Sequence, residues 1–180
     1  VTERNRAGSS GSSLFRRVDI PDVLGCLYLH AMPGRHEALS RALEEIDLLR
    51  ITHVVSLASI EEIRVKSPEY ALLLERGPGW SSLVIPVPDF GVPEDEGAFN
   101  ARAREAAELL RSGENLLVHC GAGIGRTGTF AICVLRELGF DPGEASRAVL
   151  EAGSRPETPE QQALCTGPVG RAKPGSRPAR

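Results

Sequence analysis

Short apolar runs alternate with longer amphipathic stretches through most of this 180-residue chain. Residues 26–31 (CLYLHA), 52–57 (THVVSL), 82–87 (SLVIPV) and 115–119 (NLLVH) have the length and the aliphatic or β-branched content of strands. Pro86 marks the third of these as ending early or lying at an edge. Between them the period changes. Residues 36–50 carry Leu39, Leu43, Ile46 and Leu49 at helical spacing, and residues 59–76 read as one or two helices interrupted near Pro68. Residues 89–94 form a loop before a helix over 95–112, whose early acids Asp95 and Glu96 favour the helix dipole. The stretch 127–138 has Phe130, Ile132, Val134, Leu135 and Leu138, too apolar for a surface helix, and Gly139 caps it. Residues 142–151 and 159–164 complete the helices. This alternation predicts an α/β fold, a single domain with a central, mainly parallel sheet flanked by helices. Such sheets bind ligands beyond the carboxyl ends of their strands.

The length bounds the architecture to one domain with a sizeable core. Residues 14–165 form the expected folded body. Residues 1–13, with the run AGSSGSS, read as a flexible tail, and residues 166–180, with Arg171, Lys173, Arg177 and Arg180 among Gly, Pro and Ser, as a disordered basic one. A formal net charge of −3 argues against a generic nucleic-acid binder. The four cysteines, Cys26, Cys120, Cys133 and Cys165, are scattered without a CxxC pair, which argues against a zinc site. With no apolar leader region and no run near the ~18 residues of a membrane span, the expectation is a reduced, cytoplasmic monomer with no membrane partner.

The chemistry concentrates in one stretch, VHCGAGIGRTG over residues 118–128. Three readings compete for it. Gly123, Gly125 and Gly128 match a dinucleotide fingerprint, with Asp141 near the spacing its acid requires, yet no strand precedes Asp141 and the motif comes late in the chain. A Walker A loop fails twice, because Cys120 stands for its first glycine and Arg126 for its lysine. The third reading is a cysteine-based phosphate site. From Gly121 through Ala122, Gly123, Ile124 and Gly125 to Arg126, successive backbone N–H groups can ring a tetrahedral oxyanion. The glycines allow the close approach, and the following helix points its positive end at the same spot. Arg126 can grip two phosphate oxygens with its planar fork. The same field favours a thiolate at Cys120.

The segment HCGAGIGRTG resembles the HCxxGxxR(S/T) signature of the cysteine-dependent protein tyrosine phosphatases, most strongly the small dual-specificity-like enzymes of bacteria and archaea. The resemblance spans about residues 20–165, with AMPGR at 31–35, PVPDFGVP at 86–93 and ETPEQ at 157–161 as further pieces. It implies a protein-tyrosine-phosphatase-like fold and hydrolysis of phosphomonoesters through a phosphocysteine, with no cofactor and no metal. Cys120 is then the nucleophile, Arg126 and the loop amides hold the phosphoryl oxygens, Thr127 steadies the departing thiolate, and His119 orients the cysteine. An ester oxygen leaves poorly without a proton. Asp89, which begins the loop after the third strand, is the expected acid, with Glu94 and Asp95 as runners-up better suited to starting a helix. Gln161 matches a glutamine that positions hydrolytic water in some members. Arg155 either lines the pocket or is solvated, and Arg35 reads as a loop residue.

The segment between Cys120 and Arg126 contains no lysine, which favours substrates with a single phosphate, such as phosphotyrosine and phosphoserine or phosphothreonine proteins and peptides. Phosphoinositides, inositol phosphates or nucleotides remain the alternative substrates, and a phospho-ligand-binding module without turnover the alternative function. Cys26 and Cys165 are the candidate redox partners of Cys120.

Overall fold

The computed structural model describes residues 13–167. The two terminal segments set apart by composition therefore lie almost wholly outside the described residues. In chain order the elements are β1 (Arg16–Arg17), β2 (Leu27–His30), α1 (Leu39–Leu48), β3 (His53–Ser56), α2 (Ile60–Lys66), α3 (Pro68–Arg76), β4 (Ser81–Val84), α4 (Glu96–Arg111), β5 (Leu116–His119), α5 (Gly125–Leu138), α6 (Pro142–Glu151) and α7 (Pro159–Thr166). The five described strands form one sheet in the order β1-β2-β5-β3-β4, parallel except for the antiparallel pair β1 and β2. β4 is an edge with mostly exposed side chains, and its regular pairing stops before Pro86. No helix among the described residues is long and apolar enough to cross a membrane.

Strand alternation divides the core between the two faces of the sheet. Leu27, Leu29, Val55, Leu116 and Val118 face α4, α5, α6 and α7. Tyr28, Val54 and Leu117 face α1 through Ala42 and Ile46. A third cluster, with Met32, Ile63 and Tyr70, seats α2 and α3 near the same ends of the strands. In α5, the run from Gly125 to Leu135 is buried without interruption. Phe130 is 0% exposed and meets Phe99 of α4 edge to face, centroids 5.2 Å apart. Gly139, at φ +108°, ends α5 in the left-handed conformation expected of a glycine cap.

Helix starts follow local capping chemistry. Asp95 Oδ1 accepts from the Ala98 N–H at 2.8 Å, so this runner-up acid is spent on starting α4. Asp141 accepts from Gly143 and Glu144 at 2.8 and 3.0 Å and forms a capping box for α6. No strand leads to it, which removes the dinucleotide reading. Pro68 is the first residue of α3 rather than a kink within one long helix.

Cys26 sits at the entrance to the sheet, where its carbonyl accepts from the Leu116 N–H at 2.9 Å, whereas Cys120 follows the far end of β5. About 13 Å of strand separates those levels, well beyond disulfide reach. Cys165 instead faces α5, with its thiol 3.8 Å from the Thr129 carbonyl. A hydrogen bond with Cys133, reinforced by burial, pushes its pKa up. Cys26 is thus out of reach of Cys120, and Cys165 is engaged with Cys133 and Thr129 on α5. Because α5 has no exposed side to relax into, Phe130→Ala should lower the unfolding free energy by about 3–5 kcal/mol in urea titrations.

Candidate active site

Residues 120–125 link the carboxyl end of β5 to the first turn of α5, and nearly every carbonyl in this loop is held from outside it. The Gly121 carbonyl accepts from the Met32 N–H at 3.2 Å. The Gly123 carbonyl accepts from Ser154 Oγ at 2.7 Å and Arg16 Nη2 at 2.6 Å. The Ile124 carbonyl takes the N–H groups of Gly128 and Arg155, and that of Gly125 takes the Thr129 hydroxyl. With the acceptors engaged, the amides are what the loop has left to offer an anion. Gly123 has to be glycine: its φ is +73°, and a β-carbon there would lie 2.3 Å from the His30 carbonyl oxygen. Cys120 Sγ lies at the base, 2% exposed, and accepts from the Gly123 N–H at 3.2 Å. The Thr127 hydroxyl, in the first turn of the helix, is buried without a hydrogen-bond partner among the described residues.

Arg126 is nearly fully buried and richly paired. Its Nη1 donates to Glu62 Oε2 at 2.7 Å and to the Val87 carbonyl at 3.0 Å. Its Nη2 donates to Glu62 Oε1 at 2.9 Å and lies 3.0 Å from Asp89 Oδ1. Of the five guanidinium N–H groups, Glu62 and Val87 take three, leaving Nε–H and the Nη2–H beside it, against which Asp89 rests as an ion pair. The Arg126 guanidinium, aided by Lys66 and opposed by burial, holds the Glu62 carboxyl down to about 2. Lys66 Nζ lies 2.7 Å from Glu62 Oε1 and 3.9 Å from Asp89 Oδ2.

The Asp89 loop is anchored on both sides of its acid. The Val87 N–H donates to the Leu57 carbonyl at 3.0 Å, and Arg126 holds the Val87 carbonyl. Gln161 Nε2 donates to the Gly91 carbonyl at 2.9 Å, while its Oε1 accepts from the Glu157 N–H at 2.8 Å. Both ends of the Gln161 amide thus bond main chain, which ties the Asp89 loop to the start of α7. Between the anchors, Phe90 is 63% exposed and has φ +56°, a left-handed conformation that a bulky residue rarely adopts.

His119 is fully buried, with Nε2 3.1 Å from Tyr70 Oη and Nδ1 3.5 Å from the Cys120 carbonyl. Burial drives its pKa down to about 4. The neutral ring therefore donates from Nδ1 toward the Cys120 carbonyl and accepts the Tyr70 hydroxyl at Nε2. Burial pushes the Tyr70 phenol up, so the donor stays protonated.

A cavity of about 240 Å³ opens over this ensemble, lined by Cys120, Arg126, Asp89 and Phe90, and also by Arg35, Lys66, Ala122 and Glu157. It brings together the cysteine, the arginine and the aspartate singled out from sequence. Glu94 lies instead along a separate groove behind the Asp89 loop. Arg155 serves through its backbone, packed against Gly128. Sequence reasoning missed Glu62, Lys66, Tyr70 and Glu157, and read Arg35 as a loop residue. Glu62 is 64 residues from Arg126 and reads locally as one acid of an i, i+4 pair on a surface helix. Its one clue was that α2 begins just past the carboxyl end of β3, where ligands bind. The absence of a lysine between Cys120 and Arg126 thus does not make the pocket poor in extra cations, because Arg35 and Lys66 reach it from other elements. Among the described residues no three His, Cys, Asp or Glu side chains converge as a metal site would require.

This chain belongs to the family described as PTP-SAK, the DSP-PTPase phosphatase domain of Swiss Army Knife proteins, whose model matches residues 28–172. It is a phosphatase domain of the dual-specificity and tyrosine phosphatase type. Among solved structures it is similar to kinase associated phosphatase (TM-score 0.67, 22% identity, 77% of this chain and 83% of that one). It is also similar to Tk-PTP in its active form (TM-score 0.63, 26% identity, 86% and 95%) and to PTPMT1 (TM-score 0.63, 21% identity, 84% and 91%). Tyrosine-protein phosphatase non-receptor type 2 of Homo sapiens is 43% identical over 61 residues, which cover 30% of this chain and 15% of that protein.

The buried neutral His119 has a consequence for stability. Its folded pKa lies below the ordinary 6.5, so between pH 6.5 and 4 the unfolded chain binds a proton that the folded chain does not. Stability should fall as pH drops through that window, by about 3 kcal/mol in total. Urea titrations at pH 7, 5.5 and 4.5 should show this slope, and His119→Gln should flatten it.

Proposed function

We propose that the chain hydrolyses phosphomonoesters through a phosphocysteine intermediate on Cys120. The observation that carries this is the convergence of Cys120, Arg126 and Asp89 on one cavity, with the sulfur beneath a loop whose carbonyls are turned outward. The phosphoryl group sits on the amides of Gly121, Ala122, Gly123, Ile124 and Gly125. Arg126 grips it with the Nε and Nη2 edge, since Glu62 and Val87 hold the other. To do so the phosphate displaces Asp89 from Nη2. Its carboxyl, now free of that partner, carries the proton needed by the leaving oxygen.

In the first step the Cys120 thiolate attacks phosphorus, the P–O ester bond breaks, and the proton of Asp89 goes to the departing oxygen. In the second, water attacks the phosphocysteine and gives a proton to the Asp89 carboxylate, while the P–S bond breaks. The Gly123 N–H receives the returning sulfur charge, and the Thr127 hydroxyl, unpartnered among the described residues, shares it once it turns toward the sulfur. His119 acts one step removed, by fixing the Cys120 carbonyl. The chemistry asks for neither cofactor nor metal, because amides and guanidinium neutralise the phosphoryl oxygens.

Phosphotyrosine and phosphoserine or phosphothreonine peptides are the substrates favoured by the loop composition. Arg35 and Lys66 on the rim favour the second reading, a non-protein phosphate. PTPMT1 has been solved in complex with PI(5)P, which keeps that class in view for this fold.

Cys120→Ser should lose at least roughly 10⁴-fold in turnover of an aryl phosphate while still binding inorganic phosphate in calorimetry. Asp89→Asn should slow esters with poor leaving groups by roughly 10²–10⁴-fold and activated aryl esters far less. A set of substituted phenyl phosphates reads this out, with Glu157→Gln as the comparison. A steeper leaving-group dependence for Glu157→Gln than for Asp89→Asn would move the proton-donor role to Glu157.

A further inference from the structure

Two cations reach the Cys120 cavity from outside its loop. Arg35 lies on the turn after β2, and Lys66 ends α2. Both bear on the same residue: a β-carbon at Gly121 would lie 3.1 Å from Arg35 Nη1 and 3.1 Å from Lys66 Nζ, with Glu62 Oε1, the partner of Lys66, at 2.9 Å. Gly121 is the neighbour of Cys120, so both charges stand directly beside the place where a phosphoryl group would bind. Their settings differ. Lys66 is already shared between Glu62 and Asp89. Arg35 has no carboxylate partner among the described residues, although its side chain is partly buried against the loop.

The base of Arg35 is firmly held. Its N–H donates to the Met32 carbonyl at 3.1 Å, Ser67 Oγ donates to the Pro33 carbonyl at 2.8 Å, and the Gly34 N–H donates to Glu37 Oε1 at 3.0 Å. A guanidinium fixed at its root, partly desolvated and paired to none of the nearby carboxylates of Glu62, Asp89 and Glu157, is suited to an incoming anion. Arg126 and the loop amides account for one phosphoryl group, so the anion at Arg35 is a different one.

We propose that Arg35, backed by Lys66, forms a second anion subsite beside the Cys120 cradle. The preferred substrates are then phosphomonoesters bearing a second phosphate on the same small scaffold, of the polyol bisphosphate kind. This rests on the phosphatase reading above and specifies its substrate. The compact geometry favours such a scaffold over an acidic phosphopeptide. The cavity is about 240 Å³ and both cations adjoin Gly121, so the two anions must be close neighbours.

The test compares kcat/KM of the wild-type chain, Arg35→Gln and Arg35→Lys. The substrates are a vicinal inositol bisphosphate, the matched monophosphate, a phosphatidylinositol bisphosphate in phosphatidylcholine vesicles, and phosphotyrosyl peptides with and without flanking acids. The wild type should favour bisphosphate over monophosphate by roughly tenfold or more. Arg35→Gln should collapse that ratio toward one, chiefly through KM, and Arg35→Lys should restore part of it. A preference seen in solution or on vesicles supports the subsite and identifies the source of the ligand. Equal rates on mono- and bisphosphate by the wild type would overturn the proposal without any variant. So would an equal loss on both substrates in Arg35→Gln, or Arg35 dependence confined to acidic peptides. If the wild type turns over no ester, calorimetry with the same pair decides. Tighter bisphosphate binding would retain the subsite and defeat the phosphatase reading alone, whereas equal binding would defeat the subsite.

Discussion

A guanidinium that is 3% exposed, carried on the first turn of a buried helix, sets the terms for everything around it. Removing a charge of that size from water costs several kcal/mol unless partners restore what solvent supplied. Arg126 finds them on three elements: Glu62 from α2, the Val87 carbonyl from the end of the β4 segment, and Asp89 from the loop beyond. Each is brought within reach by the parallel sheet, which delivers β3, β4 and β5 to the same end. The Glu62–Arg126 pair is therefore both a structural joint and an orienting device, since the bidentate contact leaves one edge of the guanidinium facing the cavity. Glu62 also depends on it: without the arginine, its depressed ionisation and its contact with Lys66 would lose their anchor.

A second constraint acts on the backbone. A ring of inward-facing amides requires that the carbonyls of the same residues find partners elsewhere. Ser154, Arg16, Met32 and Arg155 supply those partners from distant parts of the chain. The segment after α6 thus does as much for the loop as the loop's own glycines. Its role explains why Gly128 is tightly confined, with a hypothetical β-carbon 2.5 Å from the Arg155 nitrogen.

Much of this was legible in the residues, and the limits follow from physics. Periodicity exposed the four longer strands and all the helices, because each buries a regular face. β1 escaped notice because two arginines carry no apolar pattern, and the strand exists only through its pairing with β2. The nucleophile and its loop were legible because their chemistry is contiguous. The side chains that complete the pocket were not, because Glu62, Lys66, Arg35 and Glu157 each resemble ordinary surface charge until the fold assembles them. The expectation of a pocket without further cations missed them for the same reason: charge was counted along the chain, while Arg35 and Lys66 reach the cavity from other elements. Gln161 shows a related limit, since its match to a motif carried no information about which main-chain groups would claim its amide.

The tip of the Asp89 loop has a mechanical meaning. Phe90 holds a left-handed backbone, which costs a residue with a β-carbon about 1–2 kcal/mol. What holds Asp89 inward is attraction to Arg126 and Lys66 through a carboxylate that is 59% exposed and so open to screening. Strain and screening thus meet within two consecutive residues: the turn at Phe90 is a fixed cost to the chain, while the ion pairs beside it weaken as the ionic strength of the surroundings rises.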